Sequence, residues 1–267
     1  MFSKYIFANM ILDYKNSTIH FTTEGKGQSV VLLHGFLESV NMWNDLVPKL
    51  TNAHQVICID LLGHGQTECL GYVHTMETMA EAVFTVLEYL NIEKAHFIGH
   101  SMGAYVALAL AEKHPNLFNG LCLMNSTFEA DTEERKLIRS RACKMAQTNY
   151  EALVKMSFAN LFTAESKIKH EADYNKALQQ ALLTPVQGYI AAQEGMKLRP
   201  NYIKLFKKLP IKKIIIIGEE DGLIDSDSLT LQIKNTDIDY ALISGGHMSY
   251  IENKSELTYR LLHFIEK

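Results

Sequence analysis

Apolar positions along this chain follow two rhythms. Short continuous runs read as strands buried on both faces: "SVVLLHGF" (29–36), "QVICIDLLGHG" (55–65), "AHFIG" (95–99), "GLCLMN" (120–125), "IKKIIIIG" (211–218) and "DYALIS" (239–244). Between them apolar residues recur at three- and four-residue steps. Met76, Met79, Ala80, Val83, Val86, Leu87 and Leu90 predict an amphipathic helix over 76–90. Further helices are expected around 43–50, over 102–113, around 226–234 and near 254–266. At the N-terminal side "MILDYKNSTIHFTT" (10–23) predicts two short strands that turn at Lys15 and Asn16. Strands alternating with helices make an α/β fold, a parallel sheet covered on both sides.

The alternation stops after Asn125. From 126 to 209 no buried-strand pattern occurs, and the segment reads as a helical insertion that divides a core of 1–125 and 210–267. Within it "DTEERKLIRSRACKMAQ" opens with Asp131 and Glu134 spaced as a capping box, and "YNKALQQALL" stops before Pro185.

Chemistry enters at "IGHSMGA" (98–104), between a strand and an alanine-rich helix. Gly99-x-Ser101-x-Gly103 at such a junction predicts a nucleophile elbow. The turn strains the serine backbone and exposes its side chain, and neighbours two positions away must lack a Cβ for strand and helix to pack. A serine hydroxyl needs a base, and the base needs an orienting acid. In this architecture both follow the serine, each at the end of a later strand. His247, in "GGH" after "DYALIS", is the only histidine between His170 and His263, so it is the expected base. Asp221, three residues past Gly218, is favoured as the acid, with Glu219, Glu220, Asp225 and Asp227 nearby. The expected oxyanion donors are backbone N–H groups: that of Met102, after the serine, and that of Phe36, after His34-Gly35.

Composition narrows the remaining classes. With 267 residues, 21% charged and a net charge of −4, the chain lacks the basic excess of a nucleic-acid binder. Its one basic cluster, "KLFKKLPIKK" (204–213), reads first as a solvated connector, with attraction of an anionic substrate as the alternative. Cys58, Cys69, Cys122 and Cys143 form no CxxC pair, and two lie in apolar runs, which fits a reducing compartment. The opening "MFSKYIFANMILDYK" lacks a continuous apolar core and a cleavage site, and no apolar run is long enough to span a membrane. A cytoplasmic protein without membrane or nucleic-acid partners is therefore expected. His34, His64 and His100 flank motif glycines and are expected to bond loop backbone. There is no HExxH and no phosphate loop, and "GHGQTE" (63–68) lacks the third glycine of a dinucleotide loop, so neither metal nor cofactor is expected.

Taken with "DLLGHGQT" (60–67), "IIIIGEEDGL" (214–223) and "GGHMSYIEN" (245–253), these motifs make the chain resemble the α/β-hydrolase superfamily over nearly its whole length. The resemblance implies an eight-stranded, mostly parallel sheet with one antiparallel strand near the N-terminus and a helical cap after the sixth strand. It carries over Ser101 as nucleophile, Asp221 as acid, His247 as base, and Phe36 and Met102 as oxyanion donors. Two positions depart from it: Ala104 stands where many relatives have glycine, and Glu252-Asn253-Lys254 lacks a frequent proline. The activity so implied is serine hydrolysis of a carboxylic ester or related small acyl compound. Carbon–carbon bond hydrolysis, a menaquinone-pathway type of lyase step, and a ligand sensor on the same fold are the alternatives. Met145, Tyr150, Met156, Phe158, Phe162, Tyr189 and Met196 of the insertion are candidates to line part of an apolar acyl pocket, with the core of the cap the favoured place for each taken singly.

Overall fold

The computed structural model describes residues 8–266. Part of the opening segment weighed above as a leader, residues 1–7, therefore lies outside the described residues. Eight strands form one sheet: β1 (Ala8–Tyr14), β2 (Ser17–Glu24), β3 (Gln28–Leu33), β4 (His54–Ile59), β5 (Ala95–His100), β6 (Phe118–Met124), β7 (Lys212–Gly218) and β8 (Asp239–Ile243). Their order is β1-β2-β4-β3-β5-β6-β7-β8. β2 runs antiparallel to both of its neighbours, and all other pairings are parallel. Lys15 (φ 47°) and Asn16 (φ 62°) make the tight β1–β2 turn, since a two-residue hairpin loop wants left-handed backbone at both positions.

The helices are α1 (Val47–Leu50), α2 (Met76–Tyr89), α3 (Met102–Lys113), α4 (Glu133–Ala146), α5 (Tyr150–Ala159), α6 (Ala164–Lys169), α7 (Glu171–Leu182), α8 (Val186–Leu198), α9 (Ile203–Lys208), α10 (Ser226–Ile233), α11 (Ser249–Glu252) and α12 (Lys254–Glu266). The helix expected around 43–50 is broken into a 3-10 turn (Val40–Trp43) and the one-turn α1, with Pro48 fitting at the start of the latter.

Two apolar clusters cover the sheet. One packs β3, β4 and β5 residues with the buried stripe of α2 and with α3, from Val31 and Phe97 to Val83 and Val106. The other packs Val30, Leu32 and Ile98 against Trp43, Leu261 and Phe264. Alternate residues of the same strands feed opposite clusters, as the pleat requires. Every residue of α3 from Met102 to Ala111 is buried, which explains its alanine-rich, almost uncharged sequence. Among the described residues no helix is long and apolar enough to cross a membrane.

Six helices, α4 to α9, intervene between β6 and β7. They carry a third apolar cluster built on Val154, Phe158, Ala181 and Tyr189, which reaches the core at Leu37, Met248 and Ile251. One local expectation fails here, and a second holds only in part. Thr132, not Asp131, caps α4, accepting the Arg135 N–H at 3.2 Å. Asp131 is drawn instead into a buried pair with Arg139 (2.5 Å) and Arg199 (2.7 Å), because two guanidinium groups attract a carboxylate more strongly than one amide does. The basic cluster is not wholly solvated either. Lys213, on β7, is 1% exposed and donates to the Leu209 carbonyl at 2.8 Å while pairing with Asp237 at 2.9 Å. Its long stem lets a strand position inside the core deliver its charge to the carbonyls at the C-terminal end of α9.

Candidate active site

The site lies at the C-terminal ends of β3, β5, β6, β7 and β8. Ser101 occupies the turn from β5 into α3 with φ 48° and ψ −114°, a conformation an L-residue adopts only under constraint. The constraint is steric. A methyl on Gly99 would strike the Ala104 backbone, and one on Gly103 would strike the carbonyl of Leu33. Strand and helix are thus packed closer than any side chain at those positions permits. The Ser101 N–H donates to the Met124 carbonyl at 2.9 Å, and Ser126 Oγ donates to the Ser101 carbonyl at 2.8 Å, pinning both faces of the turn to the end of β6.

His247, 3% exposed, brings Nε2 to 3.0 Å from Ser101 Oγ. Its Nδ1 lies 2.8 Å from Asp221 Oδ2 and 3.0 Å from Oδ1. Because a carboxylate only accepts, Nδ1 carries the ring proton and Nε2 is left to accept from the serine hydroxyl. Asp221 also accepts from the Leu223 N–H (2.9 Å) and from Asn125 Nδ2 (3.0 Å). Burial alone would raise the Asp221 carboxyl, but the His247 ring and these donors hold it below its ordinary value. Of the nearby acids considered, Asp225 instead caps α10 through the Ser228 N–H.

His34 aims the loop after β3. Its Nε2 accepts the Leu61 N–H at 2.9 Å, so its proton sits on Nδ1 and is donated to the Gly35 carbonyl at 2.7 Å. Burial favours the neutral ring this requires, lowering the His34 pKa. In a planar trans peptide, fixing the Gly35 carbonyl also fixes the opposed Phe36 N–H. Phe36 and Ser101 line one cavity of about 310 Å³. Met102 begins α3, where the first N–H groups have no intrahelical acceptor and the helix dipole is positive. The loop-backbone reading also fits His64, whose Nδ1 faces the Leu62 carbonyl at 3.1 Å. It is incomplete for His100: one ring nitrogen faces the His247 carbonyl, but the other faces the Glu38 carboxylate.

Cap residues close the cavity, though not mainly the ones expected. Tyr189 and Met196 line it, together with Arg135, Ile138, Arg139, Ser157 and Asn160. Phe158 and Phe162 are buried in the cap cluster and Tyr150 packs against it, while Met145 and Met156 are exposed. Asn125 and Glu38 were not singled out from the sequence. Asn125 (φ 45°, fully buried) follows β6 and donates to both Asp221 and the Gly246 carbonyl, while Ser249 Oγ donates to its Oδ1 at 2.6 Å. A polar residue ending a buried strand was the one available signal.

The serine turn, the imidazole–carboxylate pair and their places at strand ends invite comparison with known proteins. The 3-oxoadipate enol-lactonase 1 of Acinetobacter baylyi is 26% identical over 262 residues, covering 96% of this chain and 96% of its own. A 2-hydroxy-6-oxo-6-(2'-aminophenyl)hexa-2,4-dienoic acid hydrolase of Metapseudomonas resinovorans is 23% identical over 252 residues, covering 91% of this chain and 86% of its own. Among solved structures, a thermophilic esterase from Thermogutta terrifontis superposes with a TM-score of 0.89 at 24% identity, covering 99% of this chain and 98% of that one. The family profile of the alpha/beta hydrolase fold matches residues 28–254, and the chain belongs to that family.

Proposed function

We propose that this protein is a serine hydrolase that cleaves a carboxylic ester, or a related small acyl compound, through an acyl-enzyme intermediate. The observation that carries the reading is the unbroken path from Ser101 Oγ through the His247 ring to Asp221, each step at hydrogen-bond distance. In the proposed reaction His247 Nε2 takes the hydroxyl proton as Ser101 Oγ attacks the carbonyl carbon. The developing oxyanion is received by the Phe36 and Met102 N–H groups, one such donor being worth about 2.7–4 kcal/mol of barrier. The imidazolium then protonates the leaving alcohol, and water, deprotonated by the same nitrogen, releases the acid. Asp221 holds the tautomer and balances the charge on the ring.

Ser101→Ala is expected to remove turnover of a 4-nitrophenyl ester of a short acid and labelling by a fluorophosphonate, with an unchanged far-ultraviolet circular dichroism spectrum. Retained turnover would reject the assignment. A second reading, hydrolysis of a carbon–carbon bond in a diketone-like compound, draws on the same triad and on the hydrolase relative from Metapseudomonas resinovorans. Rates across esters, lactones and vinylogous diketones separate the two.

A further inference from the structure

Glu38 takes no part in the proton path from Ser101 to Asp221, yet it is buried, 6% exposed as a residue, in the wall of the same cavity. Its Oε2 accepts the Gly35 N–H at 2.6 Å and lies 2.7 Å from His100 Nδ1. The opposite ring nitrogen, His100 Nε2, lies 3.0 Å from the His247 backbone carbonyl. One carboxylate thus reaches the loop carrying Phe36 and the residue preceding Ser101, and through that residue's ring the backbone of His247.

Both ring nitrogens of His100 face acceptors. A carbonyl cannot donate, so Nε2 carries a proton. Nδ1 faces a carboxylate oxygen that already takes an amide N–H, and two lone pairs would repel at that distance. A second proton therefore lies between Nδ1 and Oε2, and carried on the ring it makes an imidazolium–carboxylate pair. Burial alone would push Glu38 up and His100 down, but their mutual attraction and hydrogen bond outweigh it, holding Glu38 below 4.5 and His100 above 6.5. The other titratable groups facing the pair are His34 and Tyr250 at Glu38, with Asp221 and His247 at His100.

The backbone points to the same residue. The Glu38 N–H donates to the Gly35 carbonyl at 3.3 Å, closing a turn with Phe36 and Leu37 at its centre. Leu37 has φ 64°, in the position a type II turn usually gives to glycine or asparagine. Such a conformation persists only where the surroundings over-determine it. Glu38 closes this turn twice, with its N–H and with its carboxylate. Gly35 keeps the space clear, for a methyl there would lie 2.6 Å from Glu38 Oε2, 2.8 Å from His100 Nδ1 and 3.2 Å from Ser101 Cβ.

We propose that Glu38 is a positioning residue that, through His100 and the Gly35 N–H, sets the spacing between the oxyanion loop, the nucleophile turn and the catalytic base. The proposal rests on the serine-hydrolase reading above. Its effect falls on kcat, because misplacement of reacting groups by about 1 Å can cost about a hundredfold in rate.

In Glu38→Gln the neutral amide can still accept the Gly35 N–H but cannot balance the His100 imidazolium. Its kcat for 4-nitrophenyl butyrate is expected to fall about ten- to hundredfold with KM little changed. His100→Gln is expected to fall to the same level, and the double variant no further, because the two side chains act as one unit. A readout independent of turnover is the low-field His247 Nδ1 proton in the NMR spectrum, which moves in Glu38→Gln if the base is displaced. A folded Glu38→Gln protein with wild-type kcat and an unmoved His247 resonance overturns the proposal, and so do additive losses in the double variant. If the wild type neither turns over the ester nor takes the fluorophosphonate, the serine-hydrolase reading fails, and the His247 resonance still decides the role of Glu38. Should both single variants fail to fold, nitrogen-15 shifts of the wild-type histidines decide: the proposal requires both His100 ring nitrogens to be protonated near neutral pH, and one bare nitrogen overturns it.

Discussion

Gly188 of α8 lies backbone to backbone against Gly63 of the loop after β4, so close that a methyl on Gly188 would run into the Gly63 carbonyl. One helix of the cap is therefore seated on the core without any intervening side chain. Two turns further along, Gly195 meets the His74 carbonyl in the same way, and between them the His74 N–H donates to the Ala191 carbonyl at 2.9 Å.

Gly188→Ala sets two effects against each other. Alanine favours a helix over glycine by about 1 kcal/mol, but overpacking a close contact costs about 1–3 kcal/mol. Neither backbone can rotate out of the way, so a net loss is expected, read as a lower urea midpoint. A raised midpoint would mean that α8 can slide along the core at no cost.

Asp131 tests how the cap holds its shape. The Asp131 side chain is 1% exposed, and its carboxylate is shared by Arg139 and Arg199. Asp131→Asn leaves the buried Arg199 and the partly buried Arg139 without their counter-charge, and a loss of about 3–5 kcal/mol is expected. Chemical denaturation measures it, and limited proteolysis should find the first new cuts between β6 and β7.

On the proposed mechanism, Asp221→Asn separates orientation from nucleophilicity. The amide can present its N–H to His247 Nδ1 and reverse the tautomer, so kcat is expected to drop about ten-thousandfold while the fold persists. A drop below about tenfold would point to a different acid for the base.

The pH dependence of stability has two opposed arms. His100 is held above its ordinary 6.5, burial opposing the shift and Glu38 outweighing it. Its contribution is complete below 6.5 and is lost as pH rises through the raised folded value. Asp221, held below 3.8, contributes fully above 3.8 and loses this as pH falls through its lower folded value. Urea midpoints should therefore decline on the alkaline side of 6.5 in the wild type and less steeply in His100→Gln. Parallel declines in the two proteins would reject the charged His100.

What the sequence determined by itself is whatever rests on local sterics and periodicity. Gly99 and Gly103 announce the Ser101 turn because strand and helix cannot meet there otherwise. Apolar runs mark the strands because their residues are buried on both faces, and His247 stands out because few histidines follow the serine. Partners across the chain were decided only by the tertiary structure. Glu38 meets His100 across 62 residues, Asn125 meets Asp221 across 96, and Asp131 leaves its helix end for Arg139 and Arg199. A carboxylate or amide in a loop has many neighbours that can satisfy it, and local spacing does not rank them. Burial does, because removing water leaves each polar group only the partners that packing brings within reach.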